Sequence, residues 1–250
     1  MRKFIAIIMV LTACVACLPI ESVDQDNAME DLSKPYSLWA YYNFDGNTDD
    51  ASGWYRDANP IGDPSFVNDK PSSDGKAIML NGFKEQYLTI PYALPSDQQE
   101  YSVAFWIKDF TNGVVFCSTS SDYVRSYYPR LVITDDQLFR FYTCYDNYDQ
   151  TEPFNFSCAS MMSLQWCHVA VTCKKSQNDN SKVIRTLYVN GKAVDSQEYY
   201  WSECESPSMQ IGGNCNGAYS KTFSGKLDNF RIYTVCLEAK NVAYLYNNGL

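Results

Sequence analysis

The sequence predicts an all-β protein in which two antiparallel sheets pack face to face and a short helix ends the chain. Aromatic residues make up 15% of the chain, with 20 tyrosines and 13 phenylalanines, and these residue types favour strands. More than ten short segments alternate apolar and polar residues between turn formers, as the strands of a two-sheet sandwich do. Only residues 237–247 have helical spacing, with Val242, Leu245 and Tyr246 at i, i+3 and i+4 and Gly249 as a stop.

The individual strands are predicted from period-two alternation and from the turn residues that bound them. They are residues 38–44, 77–80, 87–90, 101–108, 114–117, 130–134, 137–142, 166–173, 185–189, 192–194, 209–212 and 227–235. Asn190-Gly191 is the strongest hairpin signal in the chain, and Asp135-Asp136 marks a second hairpin.

The N-terminus has the pattern of an export signal. Arg2 and Lys3 precede an apolar run over residues 4–11, which is too short to span a bilayer. Residues 11–14, Leu-Thr-Ala-Cys, resemble the lipobox of bacterial lipoproteins, in which the cysteine is diacylated and becomes the new N-terminus. This resemblance implies a signal peptide over 1–13 and lipidation of Cys14. An ordinary signal peptide cut after Ala16, giving a secreted protein, is the alternative.

Residues 14–36 are polar and acidic without apolar periodicity, so we expect a flexible tether before one domain over 37–250. Loss of the two leader cations would change the formal net charge from −9 to −11. An acidic chain without a basic cluster argues against nucleic acid and against adsorption to anionic lipid. Membrane attachment is therefore expected only through a lipid anchor.

Eight cysteines lie in the predicted domain. They are Cys117, Cys144, Cys158, Cys167, Cys173, Cys204, Cys215 and Cys236. An even number permits disulfides in an exported chain, but the spacing does not define their pairing, and cysteines on strand patterns also suit a reduced, buried state. The absence of a C-x-x-C pair in the domain and the single histidine argue against structural zinc.

The last predicted strand contains a carboxylate that requires explanation. Period two places Asp228 on the same face as Phe230 and Ile232, with Leu227 and Arg231 on the other face. If the Phe230 face is the core, Asp228 needs a cation or several backbone N–H groups as partners.

Residues 37–249 resemble a LamG-like domain, the concanavalin A-like lectin/glucanase jelly roll. The blocks that carry the resemblance are residues 44–47, 50–53, 75–82, 87–91, 101–107, 166–171, 187–193 and 225–233. The resemblance implies a jelly roll whose first and last segments are neighbours, frequent structural calcium and frequent glycan binding. It also implies a surface setting, because lipid-anchored versions are common on bacteria that forage on polysaccharides.

A structural calcium site is the sharpest site hypothesis. If the first and last segments meet, Asp45, Asn47, Asp50 and Asp228 could supply the carboxylate and amide oxygens that Ca²⁺ prefers. In the alternative, the three loop residues bond local N–H groups and Asp228 ties that loop to the last strand.

Catalysis is not favoured. Hydrolases with this sandwich carry a Glu-x-Asp-x-x-Glu strand, whereas here Glu203 and Glu205 alternate without a third acid. A serine triad also lacks support, because there is no Gly-x-Ser-x-Gly and His168, the only histidine, alternates with Trp166 and Ala170 as a packed strand residue.

We therefore expect a non-catalytic, extracytoplasmic module that binds carbohydrate at the cell surface. A protein-interaction subunit of a surface complex is the alternative, and a glycoside hydrolase is less favoured. Sugars stack on exposed aromatic rings, and the candidate clusters are residues 54–55, 127–128, 145–148 and 199–201. The sequence does not rank these clusters.

Overall fold

The computed structural model describes residues 37–71, 75–95, 97–119, 129–142, 153–162, 165–201, 206–213 and 222–248. The predicted leader, Cys14 and the tether lie outside these residues. So do Cys144, Cys204, Cys215, Glu203 and Glu205, and the aromatic clusters at 127–128 and 145–148.

The described chain forms two antiparallel sheets and one C-terminal helix. The strands are β1 Leu38–Tyr42, β2 Asn59–Ile61, β3 Ser65–Val67, β4 Ala77–Leu80, β5 Tyr87–Ile90, β6 Tyr101–Lys108, β7 Gly113–Ser118, β8 Arg130–Ile133, β9 Phe139–Tyr142, β10 Cys167–Lys175, β11 Lys182–Val189, β12 Lys192–Tyr200, β13 Met209–Ile211 and β14 Gly225–Tyr233. The helix, α1, spans Ala239–Asn248, and short 3₁₀ turns lie at Gly82–Lys84 and Ala159–Met161.

The first sheet, sheet A, has the order β12-β11-β10-β6-β14-β4-β3, and β1 also pairs with β14. The second sheet, sheet B, has the order β2-β5-β13-β7-β8-β9. Residues 230–233 of β14 pair with β1, and residues 225–227 pair with β4. The first and last strands are therefore neighbours, and the predicted all-β sandwich with a short C-terminal helix is confirmed.

The main core lies between the two sheets and is rich in aromatic rings. Phe230 of β14 is fully buried, and its ring centroid lies 5.2 Å from that of Phe105 and 5.8 Å from that of Phe116. The alternation predicted for β6 is confirmed, since Val103, Phe105 and Ile107 belong to this core. Sheet faces that interdigitate in this way provide the main stabilisation of a sandwich.

A smaller core lies on the outer face of sheet A, under α1. It contains Ala104, Ala170, Tyr188, Tyr233, Leu237, Val242 and Leu245. The predicted helix began at Leu237, but α1 begins at Ala239. Leu237 instead holds the chain against the sheet, because its side chain is buried and its N–H donates to Ser102 Oγ at 2.9 Å.

The period-two assignment of β14 was wrong around Asp228. Asp228 pairs with Trp106 on β6, whereas Arg231 pairs with Ala104, so one extra residue enters β14 between them. Asn229 takes a positive φ of 48° at this β-bulge. The bulge places Leu227 in the core with Phe230, and Asp228 lies on the outer face of sheet A.

Two short strands, β2 and β3, were not predicted. Each has three residues and ends the strand order of its sheet. β2 contains Pro60, and proline lacks the N–H needed for a central ladder. An edge position tolerates that loss.

Candidate functional site

The loop after β1 is organised by the Asp50 carboxylate. Oδ1 accepts the N–H of Tyr41 at 2.9 Å and of Ser52 at 2.9 Å. Oδ2 accepts the Ser52 hydroxyl at 2.8 Å and the Arg56 N–H at 3.0 Å. Asp50 is 9% exposed, and its two oxygens satisfy backbone donors of three half-buried residues.

The other two loop residues of the predicted metal site also have partners in the protein. Asp45 accepts bonds from the Lys70 ammonium at 3.0 and 3.1 Å and from the Lys76 N–H at 2.9 Å. Asn47 accepts the Asp49 N–H at 3.2 Å. Gly75 packs closely against the Asp45–Lys70 ion pair, since a Cβ at position 75 would lie 2.2 Å from Asp45 Oδ1.

Asp228, the fourth predicted metal residue, is fully buried. Oδ2 accepts a bond from the Asn229 side-chain amide at 3.2 Å, while Oδ1 has no hydrogen-bond partner among the described residues. Burial raises the pKa of this carboxyl to about 7, although the positive charge of Lys70 acts to lower it. Tyr42 of β1 pairs with Phe230 of β14, so the loop that follows Phe44 begins beside the part of the last strand that carries Asp228.

The structure thus brings Asp45 and Asp228 to one acidic corner with Lys70, while both oxygens of Asp50 are occupied by local donors. Within the described ranges, no three His, Cys, Asp or Glu side chains are grouped as a metal site requires. A calcium ion at this corner would have to displace the Lys70 ammonium from Asp45. Calcium binding stays a prediction.

A row of three polar side chains crosses the outer face of sheet A. Register places His168 of β10 and Asp228 of β14 on either side of Trp106 of β6. The Tyr246 ring of α1 covers the row, with its centroid 5.7 Å from that of Trp106 and 6.2 Å from that of His168. In the described part of the chain, both His168 nitrogens and Trp106 Nε1 lack hydrogen-bond partners.

This row makes His168 a source of acid sensitivity. Burial, and then the charge of Arg231, lower the pKa of His168 to about 3, against an ordinary value of about 6.5. The folded state therefore binds fewer protons than the unfolded state between these pH values. The part of the folding stability that depends on a neutral His168 is fully present above pH 6.5 and is lost as the pH falls towards 3.

We expect His168→Phe to reduce that acid sensitivity. The phenyl ring can keep the stacking against Trp106 and Tyr246 but has no nitrogen to protonate or to leave without a partner. Melting temperatures of both proteins from pH 7 to pH 4 should show the variant equal or more stable at pH 7. Its advantage should grow as the pH falls. A difference that stays constant over this range would contradict the assignment to His168.

Among the predicted aromatic clusters that the structure describes, the one at the tip of the loop after β1 is the more exposed. Trp54 is 42% exposed and Tyr55 is 83% exposed. The Arg56 guanidinium lies between two indole rings, 4.5 Å from the Trp39 centroid and 5.4 Å from the Trp54 centroid. The Arg56 carbonyl accepts the Tyr42 hydroxyl at 2.7 Å. These contacts hold the exposed rings on a fixed backbone.

In the other described aromatic cluster, Tyr199-Tyr200-Trp201, only Tyr200 is largely exposed, at 45%. Tyr199 faces inward beneath the Arg185 guanidinium, 4.7 Å from its ring centroid, and Trp201 packs against the core. The β-strand alternation of β12 explains this division, because neighbouring residues point to opposite faces.

The cysteines of the described chain divide into two groups. Cys117 is disulfide-bonded, whereas Cys158, Cys167, Cys173 and Cys236 are free. Cys158, Cys167 and Cys173 are buried and Cys236 is half-buried. Burial raises the pKa of the Cys173 thiol to about 12, as expected for an unreactive core side chain.

None of the described helices has the length and apolar character needed to cross a membrane. No curated protein sequence matches the chain.

Solved structures with this fold include sugar-bound and receptor-binding domains. Domain 4 of AbnA, a GH43 extracellular arabinanase from Geobacillus stearothermophilus, solved with arabinotriose, is 20% identical, with a TM-score of 0.60 over 84% of this chain and 99% of that chain. The binding domain of botulinum neurotoxin DC in complex with SialylT is 16% identical, with a TM-score of 0.60 over 85% of this chain and 51% of that chain. The botulinum neurotoxin type G receptor-binding domain is 15% identical, with a TM-score of 0.59 over 84% of this chain and 51% of that chain.

This chain spans about half the length of the two toxin domains. At these identities, the similarity is one of fold. The sequence itself matches the Laminin_G_3 family, described as the concanavalin A-like lectin/glucanases superfamily, over residues 81–243. Because that match covers more than half of the 250 residues, the chain belongs to the Laminin_G_3 family of the concanavalin A-like lectin/glucanase superfamily.

Proposed function

We propose that this chain is a non-catalytic, extracytoplasmic carbohydrate-binding module. The observation that carries the proposal is the presence of exposed aromatic rings on a rigid frame in a lectin-type sandwich. Trp54, Tyr55 and Tyr200 each present a solvent-accessible ring, and sugar C–H groups stack on such faces. The domain of AbnA with arabinotriose and the toxin domain with SialylT support the ligand class.

Binding of the purified domain to an array of bacterial, plant and animal glycans tests the proposal. We expect saturable binding to at least one carbohydrate, checked by isothermal titration calorimetry. A domain that binds no glycan on the array but co-purifies with other surface proteins after detergent extraction would favour the alternative, a scaffold subunit. The botulinum neurotoxin DC domain solved with rat synaptotagmin II shows that a protein of this fold can bind protein.

The proposed location is the outside of the cell, with a lipid on Cys14 as the anchor after removal of residues 1–13. The apolar leader followed by Leu-Thr-Ala-Cys supports this proposal. The mass of the mature N-terminus distinguishes a diacylated Cys14 from a chain cut after Ala16. An unprocessed N-terminus starting at Met1 would contradict both.

We also propose that a structural calcium ion binds at the acidic corner formed by Asp45 and Asp228. The unpartnered Asp228 Oδ1 supplies one acceptor, and Asp45 supplies another once Lys70 is displaced from it. A bound ion would stabilise the folded state by an amount that grows with the logarithm of its concentration relative to its dissociation constant. We expect a higher melting temperature in millimolar calcium than in a chelator, with a smaller increase for Asp228→Asn. The same melting temperature in both buffers would remove calcium from the proposal.

A further inference from the structure

A cavity of about 420 Å³ opens on the outer face of sheet A, beside the first turn of α1. Most of its lining residues belong to β10, β11 and the segment that leads into the helix, and none belongs to the Trp54 loop. Its volume is within the range of pockets that bind small molecules.

The floor of the cavity is a row of hydroxyl groups. Thr172 of β10 pairs with Thr186 of β11, and both line the cavity. The row continues on either side, since Ser102 of β6 pairs with Thr172 and Ser196 of β12 pairs with Thr186. Thr186 Oγ1 lies 2.9 Å from Ser196 Oγ. Thr172 and Ser102 are buried, so Thr186 and Ser196 are the hydroxyls of this row that a ligand can reach. Hydroxyls both donate and accept, and these two suit a ligand that itself carries hydroxyl groups.

One wall is the segment before α1, and it is fixed in place. Ser102 Oγ donates to the Val235 carbonyl at 2.9 Å and accepts the Leu237 N–H at 2.9 Å. Cys236 and Leu237, which line the cavity, are therefore held at a constant distance from the floor. A preformed cavity loses less conformational entropy on binding than one that must be ordered by its ligand.

The charges at the rim argue against an anionic ligand. Glu100, Lys174 and Glu238 line the cavity and are exposed, so two carboxylates face one ammonium. Phosphate, sulfate and uronate groups are usually bound by clusters of arginine and lysine. Carboxylates and a single ammonium can instead bind the hydroxyl groups of an uncharged sugar, and Tyr188 and Ile184 add apolar surface.

The floor leads along the strands to an exposed aromatic ring. Tyr200 pairs with Lys182 on the same face as Thr186, and Lys182 Nζ lies 5.1 Å from the Tyr200 ring centroid. Thr186 lies four positions after Lys182 in β11, a distance of about 13 Å at about 3.3 Å per residue. A short chain of sugar rings can span this distance and stack its end on Tyr200.

We infer that this cavity and the Tyr200 ring form the binding site for an uncharged oligosaccharide. The inference rests on the proposed carbohydrate-binding function and assigns it to the outer face of β10, β11 and β12. The Trp54 loop is then a separate surface.

Two site variants and two matched controls test the assignment. Thr186→Val removes one floor hydroxyl without changing the side-chain shape, and Tyr200→Ala removes the aromatic platform. The controls are Thr89→Val, which removes a hydroxyl from sheet B, and Phe83→Ala, which removes an exposed ring outside the proposed sites. Trp54→Ala is a third variant and tests the loop after β1. Unchanged melting temperatures show that each variant folds.

The probes are maltotetraose, cellotetraose, mannotetraose, arabinotriose and the acidic oligogalacturonate tetramer, each titrated calorimetrically. We expect at least one uncharged probe to bind, with a loss of about three- to tenfold for each site variant and no loss for either control. Binding that is unaffected at Thr186 and Tyr200 but reduced by Trp54→Ala would overturn the site and leave the proposed function intact. Binding of the acidic probe alone would overturn the ligand class. Failure of all probes would overturn the assigned site and its ligand class, whereas the proposed function is overturned only if the glycan array is negative as well.

Alkylation of Cys236 supplies a readout that does not depend on the variants. Its half-buried thiol lines the cavity. Burial raises the pKa of this thiol, while a hydrogen bond with Thr172 acts to lower it. We expect a bound oligosaccharide to slow modification of Cys236 by iodoacetamide, measured by mass spectrometry of its peptide. A probe that binds but leaves the rate unchanged would place the sugar elsewhere.

Discussion

Replacing Asp50 with alanine should lower the free energy of unfolding by about 3 to 5 kcal/mol. The carboxylate is the acceptor for the N–H groups of Tyr41, Ser52 and Arg56. A fully buried donor left without an acceptor costs about 1 to 3 kcal/mol. These donors belong to half-buried residues, so water recovers part of that cost. The same loop carries Trp54 and Tyr55, so its exposed rings should also lose their fixed positions.

Urea denaturation followed by tryptophan fluorescence measures this effect. Asp49→Ala is the matched control, because Asp49 is an exposed neighbour in the same loop and its substitution should change the stability by less than about 0.5 kcal/mol. Asp50→Asn should lie between the two, since one amide oxygen remains to accept bonds while the amide nitrogen faces donors. Equal stabilities for Asp50→Ala and Asp49→Ala would show that the loop does not depend on this carboxylate.

Phe230→Ala should destabilise the protein by a similar amount, about 3 to 5 kcal/mol. Phe230 is fully buried between the sheets, and its ring contacts Phe105 and Phe116 from the two sheets. Truncation removes apolar burial and leaves a cavity that two antiparallel sheets cannot close without moving apart.

Phe83→Ala is the control for this substitution, because Phe83 is 97% exposed and its truncation should have almost no effect on stability. Phe230→Leu should cost less than alanine, since it leaves a smaller cavity. The free energies come from chemical denaturation of the four proteins in one buffer. A Phe230→Ala variant as stable as Phe83→Ala would contradict the position of the Phe230 ring between the sheets.

The interior of the fold was predictable because its signals are local. Alternation in residues 101–108 depends only on neighbouring positions along the chain, and the structure places Val103, Phe105 and Ile107 in the core as predicted. Asn190-Gly191 forms the β11–β12 hairpin for the same reason, since residues with left-handed φ angles of 47° and 76° complete this turn by themselves.

The predictions failed where a strand's neighbours decide its geometry. Nothing in residues 225–233 marks the bulge at Asn229, which moves Asp228 to the outer face of sheet A. β12 extends to Tyr200, well beyond the predicted end at residue 194, because pairing with β11 continues through exposed polar residues. In both cases hydrogen bonds to an adjacent strand override the apparent period of the sequence.

The sequence by itself determined the sandwich, its closing helix and the acidic loop after the first strand, because alternation, turn chemistry and helical spacing all act between residues close in the chain. The cavity on sheet A was decided only by the tertiary structure. Its lining comes from Glu100, Thr172, Thr186 and Cys236, residues that meet only because β6, β10 and β11 are adjacent and the last loop crosses over them. Strand order depends on contacts between distant segments, and no local pattern encodes that order.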